Sequence, residues 1–181
     1  RNDVALVVGG PMVSPVSASA ISVLSKKSVR CLNDGFGNLG SCVSFNVAAY
    51  SFGVALGDVN GDGSLDVIIA NTQSQPEFRC LNDGSGGFTN CASFNTTDAS
   101  FGIALGDVDG NGALDAIIAN SGESERVCLN DGSGNFGSCS DFNTINDDSR
   151  AVALADIDGD GALDVVVANT TSQAERLCLN D

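Results

Sequence analysis

Residues 57–71 read GDVNGDGSLDVIIAN, residues 106–120 read GDVDGNGALDAIIAN and residues 155–169 read ADIDGDGALDVVVAN. The spacing is about 49 residues, and Cys31, Cys80, Cys128 and Cys178 recur in step with it. Self-similarity at this period restricts the chain to propellers, solenoids or arrays, because one such unit cannot bury its apolar surface alone.

Each unit repeats one order of parts. An apolar segment such as Ser51-Phe52-Gly53-Val54-Ala55-Leu56 enters the acidic stretch, a second apolar run follows (Leu65 to Ala70), and a polar turn leads to FRCLNDG and a short segment ending near Phe94-Asn95. The apolar runs are short, rich in Val and Ile and bounded by Gly, Asn and Asp, which predicts strands, four to a unit. Asp-Gly and Ser-Gly steps in NDGSGGF supply the positive φ of a tight hairpin. Counting inward from Cys80 and Cys91 sets Gly84 opposite Gly87, with Ser85-Gly86 at the tip. By comparison with Asp66 to Cys80, the Asp3 to Cys31 interval carries about fourteen extra residues, Gly9 to Lys27, expected as an outer loop.

Six of the seven cysteines form pairs of constant spacing: Cys31 with Cys42, Cys80 with Cys91, and Cys128 with Cys139. This regularity points to disulfides made in an oxidising compartment. Zinc is the competing reading, but there is no C-x-x-C spacing and no histidine. A bridge across neighbouring strands that closes so short a loop contributes about 2–3 kcal/mol. Cys178 is left over, unpaired or joined to another molecule.

Charge narrows the partners. Twenty-three acidic residues face eight basic ones, a formal net charge of -15, which argues against nucleic acid and anionic membranes and favours cations. The apolar content of 43% is that of a folded chain. No apolar stretch is long enough to span a bilayer as a helix, so membrane insertion is not expected.

The acidic stretches share Asp-x-Asp/Asn-x-Asp/Asn-Gly-x-x-Asp. The candidate ligands are Asp58, Asn60, Asp62 and Asp66, then Asp107, Asp109, Asn111 and Asp115, then Asp156, Asp158, Asp160 and Asp164. Carboxylates crowded this way repel one another, and a hard divalent cation neutralises the repulsion. Side chains at positions one, three and five wrap an ion, the glycine at six permits the reversal, and position seven offers a carbonyl, here that of Ser64, Ala113 or Ala162. Calcium, about three ions, suits an all-oxygen set better than magnesium, zinc or copper. An EF-hand begins alike but needs a glutamate at position twelve between helices. Ile69, Ile118 and Val167 stand there, within apparent strands, so the ninth-position aspartates must close each site.

The units SFGVALGDVNGDGSLDVIIAN and SFGIALGDVDGNGALDAIIAN resemble FG-GAP or VCBS-type repeats, the blades of calcium-binding β-propellers similar to the integrin α-chain head. The resemblance covers nearly the whole chain, with Phe52-Gly53, Phe101-Gly102 and all three acidic loops. It implies an all-β, propeller-like array of four-stranded antiparallel blades, about three and a half repeats, with the ion loop joining first and second strands. The chain divides into a partial blade 1–48, blades 49–97 and 98–146, and a partial blade 147–181, one propeller domain or a fragment of one. The last unit departs at Arg150-Ala151-Val152, and the first lacks its loop.

Three function classes follow. An enzyme lacks equipment: there is no histidine and one tyrosine, Tyr50. Asp98, Asp141, Asp147, Asp148, Glu123 and Glu125 read as solvated side chains, so no catalysis is expected. A lectin wants Trp or Tyr faces for sugar rings, and the chain has no Trp. A non-catalytic extracellular or cell-surface module for adhesion, protein interaction or assembly is the leading expectation, with a lectin-type propeller or an accessory module of a secreted enzyme as alternatives. Beginning at Arg1, with Asp3 matching Asp66, the sequence reads as a processed form or an excised piece. Its open strand edges would be covered by further blades or by other copies of the chain. An extracellular protein or a glycan is the expected ligand. Asn95-Thr96-Thr97 and Asn169-Thr170-Thr171 read as N-glycosylation acceptors for a eukaryotic source, or as strand-ending turns.

Overall fold

A computed structural model describes residues 19–24, 27–33, 36, 38–45, 50–95, 98–143, 145–170 and 173–180. Among them every regular element is a strand: β1 (Ser19–Leu24), β2 (Lys27–Asn33), β3 (Leu39–Phe45), β4 (Ser51–Gly57), β5 (Asp66–Asn71), β6 (Glu77–Asn82), β7 (Phe88–Phe94), β8 (Ser100–Gly106), β9 (Asp115–Asn120), β10 (Glu125–Asn130), β11 (Phe136–Asn143), β12 (Ser149–Ala155), β13 (Asp164–Asn169) and β14 (Arg176–Cys178). They pair in chain order into four antiparallel sheets, β1-β2-β3, β4-β5-β6-β7, β8-β9-β10-β11 and β12-β13-β14.

The apolar second strands explain how the sheets meet. In β5 and β9 all six residues are buried, because both faces of the sheet are covered. Val67 and Ile69 join Phe45 against the first sheet. Ile68 points the other way, into a core with Ala116, Ile118 and Cys128 of the third sheet. Ile117 in turn meets Val165 and Val167 of the fourth. Period-two alternation therefore sorts these residues between two cores, and the sequence shows an unbroken apolar run. Each fully buried Ile or Val contributes about 1.5–3 kcal/mol relative to exposure.

Aromatic residues sit at the joints. Phe45 meets Phe88 with centroids 5.1 Å apart, Phe94 stacks on Phe136 at 4.6 Å, and Phe52 meets Phe101 at 4.9 Å. The Phe-Gly step is explained by the residue beside the ring. A Cβ on Gly102 would lie 2.7 Å from Ala151 Cα and 2.8 Å from Arg150 O, so the first strand of the next sheet can approach only over glycine. In the fourth sheet the Phe-Gly step becomes Arg150-Ala151, and the Arg150 guanidinium covers the Phe101 ring at 3.9 Å, a cation–π contact in place of ring on ring.

Disulfides Cys31–Cys42, Cys80–Cys91 and Cys128–Cys139 join β2 to β3, β6 to β7 and β10 to β11 at directly opposed positions. Cys178 is half-buried and packs against the core that holds Ile117, Val165 and Val167.

Two expectations need correction. The hairpin tip is not Ser85-Gly86. Past Leu81↔Asn90 the register slips so that Asn82 faces Phe88, and Asp83 N donates to Gly87 O at 2.9 Å, leaving Gly84-Ser85-Gly86 as a three-residue turn. The cause is side-chain capture of the turn. Asn82 Oδ1 accepts from Gly84 N and Gly86 N, and Asp83 Oδ1 accepts from Ser85 N and Gly87 N. The Gly132-Ser133-Gly134 turn repeats the slip. The supposed outer loop, Gly9 to Lys27, also contains a strand: Ser19–Leu24 pairs with β2, with Leu24 opposite Lys27. Ile21 and Val23 are β-branched, which suits that role. Asp3 and the rest of that segment up to residue 18 lie outside the described residues.

Candidate metal centre

The three acidic loops connect β4 to β5, β8 to β9 and β12 to β13, and each is built by the same hydrogen bonds. The glycine at position six gives its N–H to the first-position aspartate: Gly63 to Asp58 Oδ2 at 2.8 Å, Gly112 to Asp107 Oδ2 at 2.8 Å, and Gly161 to Asp156 Oδ2 at 3.1 Å. These glycines hold φ of 87°, 88° and 97°, a region costly for residues with a Cβ. At position seven, Ser64, Ala113 and Ala162 donate their N–H to Oδ1 of Asp62, Asn111 and Asp160 at 2.7–2.8 Å. Asn60 Oδ1 and Asp109 Oδ1 accept from the N–H of residues 62 and 111, and Asp158 Oδ1 accepts from Asp160 N. The side-chain oxygens are thus fixed by the loop's own backbone.

The ninth-position aspartates are fully buried and tie three pieces of chain together. Asp66 accepts from Val59 N at 3.1 Å and Asn82 N at 2.8 Å, Asp115 from Val108 N at 3.0 Å and Asn130 N at 2.8 Å, and Asp164 from Ile157 N at 2.8 Å and Asn180 N at 2.9 Å. In two loops the carboxylates converge. One oxygen each from Asp107, Asp109 and Asp115 lie within 4.8 Å of one another, and the same holds for Asp156, Asp158 and Asp164. In the first loop position three is Asn60, so its acidic members are Asp58, Asp62 and Asp66.

The electrostatics differ from position to position within the loops. Burial pushes the Asp66 and Asp115 carboxyls above their ordinary range. Backbone N–H donors oppose the rise, while Asp58 and Asp62, or Asp107 and Asp109, add to it. Asp164 is held low by the Asn180 and Ile157 N–H groups. Asp62 is held low by the Asn60 side chain and the Ser64 N–H. The donor set is all oxygen, without a nitrogen or thiolate ligand, and it fits a hard cation that takes six to eight oxygens.

Comparison with known proteins adds a family. The model of the FG-GAP-like repeat matches residues 58–118 and again 107–167, together more than half of the chain. The chain belongs to the FG-GAP-like repeat family. Both FG-GAP matches take in two acidic loops and the strands between them. Two solved structures share the fold with this FG-GAP chain. One is an Agrocybe aegerita lectin that specifically recognises non-reducing terminal N-acetylglucosamine, at 20% identity and a TM-score of 0.58, over 91% of this chain and 49% of that one. The other is the V. cholerae biofilm matrix protein Bap1, at 18% identity and a TM-score of 0.50, over 83% of this chain and 22% of that one. The FG-GAP chain therefore spans about half the length of the first and under a quarter of the second. No curated protein matches it in sequence.

Sequence reasoning missed the asparagine that follows Cys-Leu in each unit. Asn130 Nδ2 reaches back to Val59 O in the preceding acidic loop at 2.8 Å, and Asn180 Nδ2 to Val108 O at 2.9 Å, so each sheet clamps the loop before it. The recurrence of CLND held the signal, but not the partner. The solvated reading of the remaining carboxylates also needs correction. Asp98, Asp147 and Glu125 are buried, because Asp98 pairs with Arg126 at 2.6 Å, Asp147 with Arg176 at 2.7 Å, and Glu125 with the Ser149 hydroxyl. Asp141 and Glu123 are exposed, and Asp148 is half-buried. Of the two sequon asparagines, Asn95 sits at φ 61° just past β7, with its Nδ2 buried. Asn169 Nδ2 donates to Ala174 O at 2.6 Å. Thr96, Thr97 and Thr171 lie outside the described residues.

Proposed function

We propose that the chain is a non-catalytic calcium-binding module of an extracellular protein, its sheets arranged as blades of a β-propeller that serves adhesion, protein interaction or structural assembly. The observation that carries this reading is the convergence of three carboxylates in each of two loops whose backbones hold the oxygens in place. On this reading all three loops bind calcium, about three ions in all, through side chains at positions one, three, five and nine and the carbonyls of Ser64, Ala113 and Ala162 at position seven. The ion joins the first two strands of each sheet and offsets repulsion within the loop. Three disulfides suit an oxidising exterior. Asp98, Asp147 and Glu125, buried outside the loops, are engaged with Arg126, Arg176 and Ser149, which supports a scaffold role for them over acid–base chemistry. Further blades, or other copies of the chain, would cover the outer sheets, and Cys178 would bridge to the strand that pairs with β14.

A glycan ligand is the second reading, favoured by the shared fold with a lectin. Calorimetry separates the possibilities. Chelator-treated protein is expected to take up calcium with a Kd on the order of 10⁻⁴–10⁻³ M, as extracellular modules do, and to bind magnesium more weakly. Equal or tighter magnesium binding would overturn the calcium assignment. Saturable heat on adding N-acetylglucosamine to the calcium-loaded protein would favour the glycan reading.

A further inference from the structure

Glutamates stand three residues before the cysteine in three units, at Glu77, Glu125 and Glu175. Glu77 and Glu125 are wholly buried, each beneath the first strand of the next sheet. At the later joint the Ser149 hydroxyl touches Glu125 Oε1 and also lies 2.8 Å from Asn169 Oδ1. The Asn169 amide group is itself turned to Ala174 O and Asp147. The serine hydroxyl thus sits between the glutamate carboxyl group and the asparagine amide oxygen.

Glu77 occupies the equivalent place between the second and third sheets. Ser100 Oγ gives its proton to Asn120 Oδ1 at 2.8 Å, and Asn120 Nδ2 is directed to Ser124 O at 2.7 Å. Neither Glu77 oxygen receives a donor in bonding geometry. The groups facing it are the Ser100 hydroxyl, the Asn95 amide and the charge of Asp98. Asp98 is a like charge, and it is paired with Arg126 at 2.6 Å. A bare carboxylate buried without a bonded donor is costly, and the neutral acid avoids that cost.

We propose that Glu77 is held as the neutral acid, and that the joint between the second and third sheets is operated by that proton. Ionisation puts an unpaired charge between β6 and β8, and the joint loosens. Burial pushes the Glu77 carboxyl up to about 7, and Asp98 adds to the rise. Because this lies above the ordinary value of 4.5, the folded protein holds the proton through the window where the unfolded chain has lost it. The stability Glu77 contributes is complete below 4.5 and is lost as pH rises through about 7.

Carboxyl-carbon NMR of the calcium-loaded protein reads Glu77 directly, with Glu77→Gln assigning the resonance. A midpoint near 7 is expected, and one in the ordinary glutamate range overturns the proposal. Melting curves against pH add a second readout. Glutamine keeps the donor without the charge, so wild type is expected to lose melting temperature relative to Glu77→Gln as pH rises through about 7. The acidic loops contribute equally to both proteins, and parallel curves would overturn the proposal. If Glu77→Gln fails to fold, the wild-type titration, assigned through backbone connectivity, still decides.

Discussion

Chelating calcium is expected to lower the melting temperature of this protein by on the order of 15 °C or more. A ligand at a hundred times its Kd stabilises the folded state by about 2.7 kcal/mol per site, or about 8 kcal/mol for three sites. For a chain of this size about 1 kcal/mol moves the melting temperature by about 2–4 °C. The structural reason is local. The Asp107, Asp109 and Asp115 oxygens lie within 4.8 Å of one another and Asp115 is buried, so a bound cation offsets a strong local repulsion. Calorimetric scans with calcium in excess and with chelator check this, and a shift of a degree or two would mean that the loops hold no ion that matters to folding.

The second large effect separates two roles inside one loop. Asp109→Ala removes an exposed side chain whose one described backbone bond is to Asn111 N. It is expected to lose calcium while matching wild type in chelator. Asp115→Ala strips the acceptor from two backbone donors, Val108 N and Asn130 N. Each unmet donor costs about 1–3 kcal/mol. Relief of repulsion with Asp107 and Asp109 returns part of this, leaving a net loss of about 2–4 kcal/mol in chelator on top of the lost ion. Urea unfolding of both variants in chelator distinguishes them. Equal stability would show that Asp115 is a ligand without the structural tie.

The repeat made much of this legible. The paired cysteines and the strand-loop-strand order could be read because each depends on residues a few positions apart, and the ninth-position aspartates stood out because three copies lay in register. The hairpin tip was misread because Asn82 and Asp83 seize the turn's N–H groups, which outweighs counting from the disulfide. The asparagine clamp was invisible because its partner lies one whole repeat away: Asn130 meets Val59, and Asn180 meets Val108. Glu125 looked like a solvated residue because it follows the polar segment NSGES, and Glu77, after NTQSQP, drew no reading. Burial comes only from the next sheet, whose Ser100 or Ser149 arrives over them. The departure at Arg150-Ala151 was visible in sequence, but its consequence, a guanidinium on Phe101, needed the neighbouring sheet.

Native mass spectrometry of the purified protein, before and after chelation, tests the central claim most directly by counting ions per chain and chains per particle together. The account predicts three calcium ions on each chain, all removed by chelator, with Asp109→Ala and Asp115→Ala each carrying one fewer. A chain that carries no calcium at millimolar concentration, or a count unchanged in those variants, would contradict it.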